Sequence, residues 1–63
     1  MVKIIKRGKE YFIQPGMTLQ ASLSKLGILS ETVLATRNGE MLTEDEKLDD
    51  GETILLIEVI SGG

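Results

Sequence analysis

One reactive group stands out in this sequence, the carboxylate of a Gly62-Gly63 ending, and the side chains that usually do chemistry are scarce. Histidine is absent, which removes the usual general base near neutral pH and the commonest metal ligand. Cysteine is absent too, so there is no thiolate nucleophile and no disulfide. A terminal carboxylate with a pKa near 3.3–3.7 is ionised at neutral pH and is a poor electrophile until something activates it. Glycine gives nothing to a core and loses the most entropy on ordering, so two of them contribute little to stability. They do make a thin arm, expected to be mobile, that fits a narrow channel. A chance Gly-Gly ending is roughly a 1-in-200 event at ordinary glycine usage, so its setting decides its meaning.

Two charged clusters compete for attention. Lys3, Lys6, Arg7 and Lys9 gather near the start, beside Tyr11 and Phe12. With a net charge of −3 and no second aromatic cluster, they read as a solvated hairpin, and no nucleic-acid partner is expected. Glu44-Asp45-Glu46 and Asp49-Asp50 lack the alternating spacing and closing glutamate of a calcium loop. They read as solvated turns, and no metal is expected.

Sixty-three residues make one domain, residues 1–63, that buries about 60% of its extended surface. A net stability of a few kcal/mol follows at roughly 0.05–0.15 kcal/mol per residue. Val2-Lys3-Ile4-Ile5-Lys6 is too short and too charged for a signal peptide, and no apolar run is long enough to span a bilayer. A soluble cytoplasmic protein without a membrane partner is the expectation.

The elements that must position the tail follow from pattern. Val2–Lys6 alternates as a strand, Arg7-Gly8-Lys9 turns the chain, and Glu10–Gln14 alternates again until Pro15-Gly16 stops it. Thr18 is a good N-cap, and Leu19, Leu23 and Leu26 share one helical stripe from which Gln20, Ser22, Ser24 and Lys25 point away. Gly27 suits the left-handed position after the helix, with Ile28 folding back over the last turn. A helix of this length is unstable alone and must lie on a sheet. Val33–Arg37 forms a third strand, Asn38-Gly39 is a strong two-residue hairpin signal, and Glu40–Leu42 returns. Thr43–Asp49 is polar except for Leu48, which should plug the core beneath a loop. Asp50-Gly51 leads into Thr53–Ile60, apolar on both faces as a central strand is. The class is α+β, with ββαββ order and one helix on one face of a mixed sheet. The first and last strands should lie side by side and parallel.

This order, with a central last strand running into diglycine, resembles the ubiquitin-like (β-grasp) fold. More narrowly the chain resembles the ThiS- and MoaD-type sulfur carriers. The most specific part is Asp49-Asp50-Gly51-Glu52 followed by Thr53–Ile60, Ser61 and Gly62-Gly63. Pro15-Gly16-x-Thr18 and Asn38-Gly39 also fit. MoaD-type chains usually carry proline just before the tail, where this sequence has Glu58-Val59, which places it nearer ThiS. The resemblance implies that a ThiF- or MoeB-like enzyme spends ATP to adenylate Gly63 and that a sulfur donor then leaves a thiocarboxylate there. The carrier itself is then not an enzyme, has no catalytic residue of its own and binds no cofactor. Gly62 would supply freedom and Ser61 a spacer. The acceptor would be thiazole synthase in thiamine biosynthesis, or, for a MoaD-type chain, the molybdopterin synthase large subunit. A ubiquitin-like modifier, a tRNA-thiolation carrier and a β-grasp adaptor that needs no tail are the other readings.

One short helix covers one sheet face, so the other should expose an apolar patch that takes a partner. Glu58 taken alone would turn Ile54, Leu56 and Ile60 outward. The ubiquitin-like register instead makes Leu55, Ile57 and Val59 the partner-facing set, with Glu58 just past the core, and that register is preferred. Arg37, Phe12 and Ile5 are further residues that could border the patch, with a plain surface role the favoured reading for each.

Overall fold

The computed structural model describes residues 1–59. Strands β1 (Val2–Lys6) and β2 (Lys9–Ile13) form the opening hairpin, followed by helix α1 (Leu19–Lys25) and a 3-10 turn (Ser30–Thr32). Strands β3 (Val33–Arg37), β4 (Glu40–Met41) and β5 (Thr53–Glu58) complete one sheet in the order β2-β1-β5-β3-β4. β5 is central, parallel to β1 and antiparallel to β3, while both hairpins are antiparallel. This is the expected β-grasp arrangement, with small differences at the ends. β2 runs Lys9–Ile13 rather than Glu10–Gln14, because the tight Arg7-Gly8 turn starts pairing at Lys6↔Lys9. The 3-10 turn has no counterpart in the pattern, and the expected end of the last strand at Ile60 lies outside the described residues.

The helix forms where its ends can be satisfied. Thr18 Oγ1 accepts from the Ala21 N–H at 3.2 Å. The N–H groups of Leu19 and Gln20 donate to the carbonyls of Glu46 and Glu44, at 2.8 and 2.9 Å. Three of the four unpaired donors of the first turn are thereby used, two of them by a loop. At the other end Leu26 caps, Gly27 takes φ 75°, and the Ile28 N–H returns to the Leu23 carbonyl at 2.9 Å. That is a Schellman closure, and it buries Ile28.

Leu19, Leu23 and Ile28 pack with Val2, Ile4, Ile13, Val33, Ala35, Ile54 and Leu56 in one core, with Leu48 fully buried among them. Leu48 is held there by main-chain bonds, donating to Met17 at 2.9 Å and accepting from Gly16 at 2.7 Å. Ser22 corrects the helical stripe: it is fully buried while Leu26 is only partly so. Its hydroxyl donates to the Thr18 carbonyl at 2.8 Å, so it carries no unmet polar group inward.

Candidate functional site

β5 alternates between two environments. Ile54 and Leu56 are buried at 0% and 3% exposure, beneath α1, while Leu55 and Ile57 are exposed at 45% and 47%. Its double-faced apolarity therefore has one face covered by the chain's own core and one left open. Val59, just past the strand, is 37% exposed. Glu58, the last residue of β5, is exposed but lies opposite the buried Val33, so it sits at the rim of the core rather than just past it. Leu55, Ile57 and Val59 are thus the outward set, and the register preferred from the sequence is the one observed.

Strand pairing widens this face. Leu55 lies between Ile5 of β1 and Thr36 of β3, and Ile57 lies opposite Leu34. Thr36 faces Met41 of β4, and Lys3 faces Phe12 of β2. Paired residues share a side of the sheet, so Leu34 and Met41, both exposed, belong to the open apolar face. The sequence reading omitted them. The signal was the alternation in Val33-Leu34-Ala35, where the flanking residues are buried and the middle one is not. Ile5 and Phe12 fall on the same face. Phe12 lies toward its β2 edge, with the Lys3 ammonium 6.0 Å from its ring centre.

Arg37 does not border the patch. It projects from the core side of β3 and binds Glu52 Oε2 at 3.1 Å and Glu46 Oε2 at 3.7 Å. The Asp49 N–H donates to the Glu52 carboxylate at 2.8 Å. That bond first, then Arg37, holds Glu52 below the ordinary carboxylate value despite partial burial. The group is a clasp between β3, the loop and the start of β5.

Among the described residues no group of histidine, cysteine, aspartate or glutamate is arranged to hold a metal, and no helix is long and apolar enough to cross a membrane. Ser61, Gly62 and Gly63, with the expectation that they are mobile, lie outside the described residues. In sequence they follow the open-faced strand: four residues separate Val59 from the final carboxylate.

Comparison with known proteins decides the family. The model of the ThiS family matches residues 2–63, nearly the whole chain and through the final glycine. The chain belongs to the ThiS family. It is also similar to the sulfur carrier protein TtuB of Thermus thermophilus, 34% identical over 55 residues that span 87% of this chain and 85% of that one. Members of the family are small protein carriers of sulfur rather than catalysts, and their general partner is an adenylating enzyme. The family match agrees with the resemblance to the ThiS- and MoaD-type sulfur carriers.

Proposed function

We propose that this chain carries sulfur as a thiocarboxylate on Gly63 and delivers it to thiazole formation in thiamine biosynthesis. The observation that carries the reading is the open apolar face of β5, on the same strand that leads to Gly62-Gly63. Leu55, Ile57 and Val59 dock the body on an adenylating enzyme, and the last residues enter its active site. A Gly63 carboxylate oxygen attacks the α-phosphorus of ATP, forming an acyl-adenylate and releasing pyrophosphate. A sulfide-level nucleophile from the donor then adds to the acyl carbon, and AMP leaves with that oxygen. The product is the thiocarboxylate, whose sulfur thiazole synthase accepts. ATP is bound by the partner, so beyond the Gly63 carboxylate itself the carrier needs no side-chain base, side-chain nucleophile or metal of its own.

The similarity to TtuB supports sulfur carriage and does not single out the thiazole acceptor. Molybdopterin formation, tRNA thiolation and conjugation to a lysine amine are the outcomes against which the thiazole assignment is tested. Intact mass of the protein from its source should show one oxygen exchanged for sulfur. The thiocarboxylated chain, offered to the thiazole, molybdopterin and tRNA-thiolating enzymes, should then lose its sulfur to the first. Transfer to either of the others, or a lysine-linked conjugate, reassigns the pathway. An unmodified acid that no adenylating enzyme activates leaves the adaptor reading.

A further inference from the structure

The end of β5 is fastened from both sides. The Glu58 carboxylate pairs with the Arg7 guanidinium, which reaches it from the β1–β2 turn. From the other side the Thr32 carbonyl accepts the Val59 N–H at 2.9 Å. The parallel pairing of β1 with β5, Lys6 opposite Leu56, is what brings the β1–β2 turn to this end of the sheet.

Arg7 also occupies a backbone position that does not suit it. Its φ is 53°, followed by Gly8 at 75°. The Asn38-Gly39 turn repeats this geometry at 55° and 82°, with the residue type that tolerates left-handed backbone. An arginine standing where asparagine would serve the hairpin better indicates a role for its side chain, and that side chain is on Glu58.

We propose that Arg7 and Glu58 are positioning residues that fix the point and direction from which residues 60–63 set out toward the activating enzyme. This rests on the carrier reading. Four residues reach at most about 14 Å when extended, so the place where β5 ends limits where the reacting carbon can be delivered. Misplacement of about 1 Å at a reacting centre can cost about a hundredfold in rate. The pair is exposed, and exposed pairs are weakly held, so the expected effect is smaller, about fivefold.

The test uses the full chain in ATP–pyrophosphate exchange with its adenylating enzyme. Arg7→Asn should keep or raise Tm, since it improves the turn, yet lower kcat about fivefold with KM for the carrier unchanged. Glu58→Gln should do the same to kcat, and the double variant should be no slower than either single one, as expected when two residues act through one contact. Unchanged kcat in both single variants, additive losses, or a fall in Tm without a fall in kcat overturns the proposal. A wild-type chain that supports no exchange sinks the carrier reading, and the positioning role falls with it. An active wild type with unaffected variants sinks only the latter.

Discussion

At the residue scale the proposed chemistry rests on the carbon of one terminal glycine. Adding a residue after Gly63, or deleting it, shifts the carboxylate by about 3.8 Å. Such a shift should cost a hundredfold or more in adenylation, on the order of the known penalty for misaligned reactants. Glycine has no side chain to pack, so stability should stay within about 0.5 kcal/mol. Pyrophosphate exchange with intact mass measures the first and thermal unfolding the second; full activity in either variant rules out the carrier role. Ile57 tests docking apart from chemistry. It is half exposed on the open face, opposite Leu34, so Ile57→Glu places its charge in solvent and leaves the fold intact. The expected result is weaker association with the activating enzyme by calorimetry at unchanged Tm. Undiminished binding would move the docking surface elsewhere.

Single elements are too short here to stand alone, and each is completed by a neighbour. The seven-residue helix gets two of its first-turn acceptors from the Glu44 and Glu46 carbonyls and a third from Thr18. Thr18→Ala removes that acceptor and should cost about 1 kcal/mol in denaturant unfolding. Leu48 works in the opposite sense, a single apolar residue that ties a polar loop to the core. Its burial is complete and its main-chain bonds grip Gly16 and Met17. Leu48→Ala should cost about 2–5 kcal/mol, a large share of the few kcal/mol such a chain possesses. A loss below about 1 kcal/mol would mean that the loop collapses to fill the space.

Over the whole molecule, opposite charges are segregated. The β1–β2 hairpin carries Lys3, Lys6, Arg7 and Lys9, while residues 40–52 carry seven carboxylates against one lysine. Three of those carboxylates titrate below their ordinary values: Asp45 through its Thr43 hydrogen bond, Asp50 through the terminal ammonium of Met1, and Glu52 through the Asp49 N–H and Arg37. A depressed folded-state pKa means that the unfolded chain binds protons first as pH falls. Their stabilisation is therefore complete above the unfolded values, 3.8 for the aspartates and 4.5 for Glu52, and is lost as pH drops through the folded ones. Denaturant midpoints should be flat from neutral pH to about 5 and fall toward about 3. Glu52→Gln should lower the neutral-pH midpoint and flatten that fall; an identical slope in the variant would place the acid sensitivity elsewhere.

Local pattern was enough for much of this molecule. The two Gly-containing hairpin turns, Arg7-Gly8 and Asn38-Gly39, the Thr18 cap, the Gly27 stop and the central last strand are each written in a few adjacent residues, because turns and caps are short-range events. The missing histidine and cysteine, set against a diglycine carboxylate, are consistent with a protein that is acted upon. Other features belong only to the folded molecule. A strand apolar in both phases, such as Ile54-Leu55-Leu56-Ile57, carries no mark of which phase is buried; α1 and Leu48 decide that by covering Ile54 and Leu56. Ser22 looked like a solvent residue, and its burial depends on a hydroxyl bond to the preceding turn. Arg7 reads from sequence as one more exposed cation, since nothing local says that a residue 51 positions later will lie beside it. Only the parallel pairing of β1 with β5, the longest-range pairing in the sheet, joins the opening turn to the root of the tail.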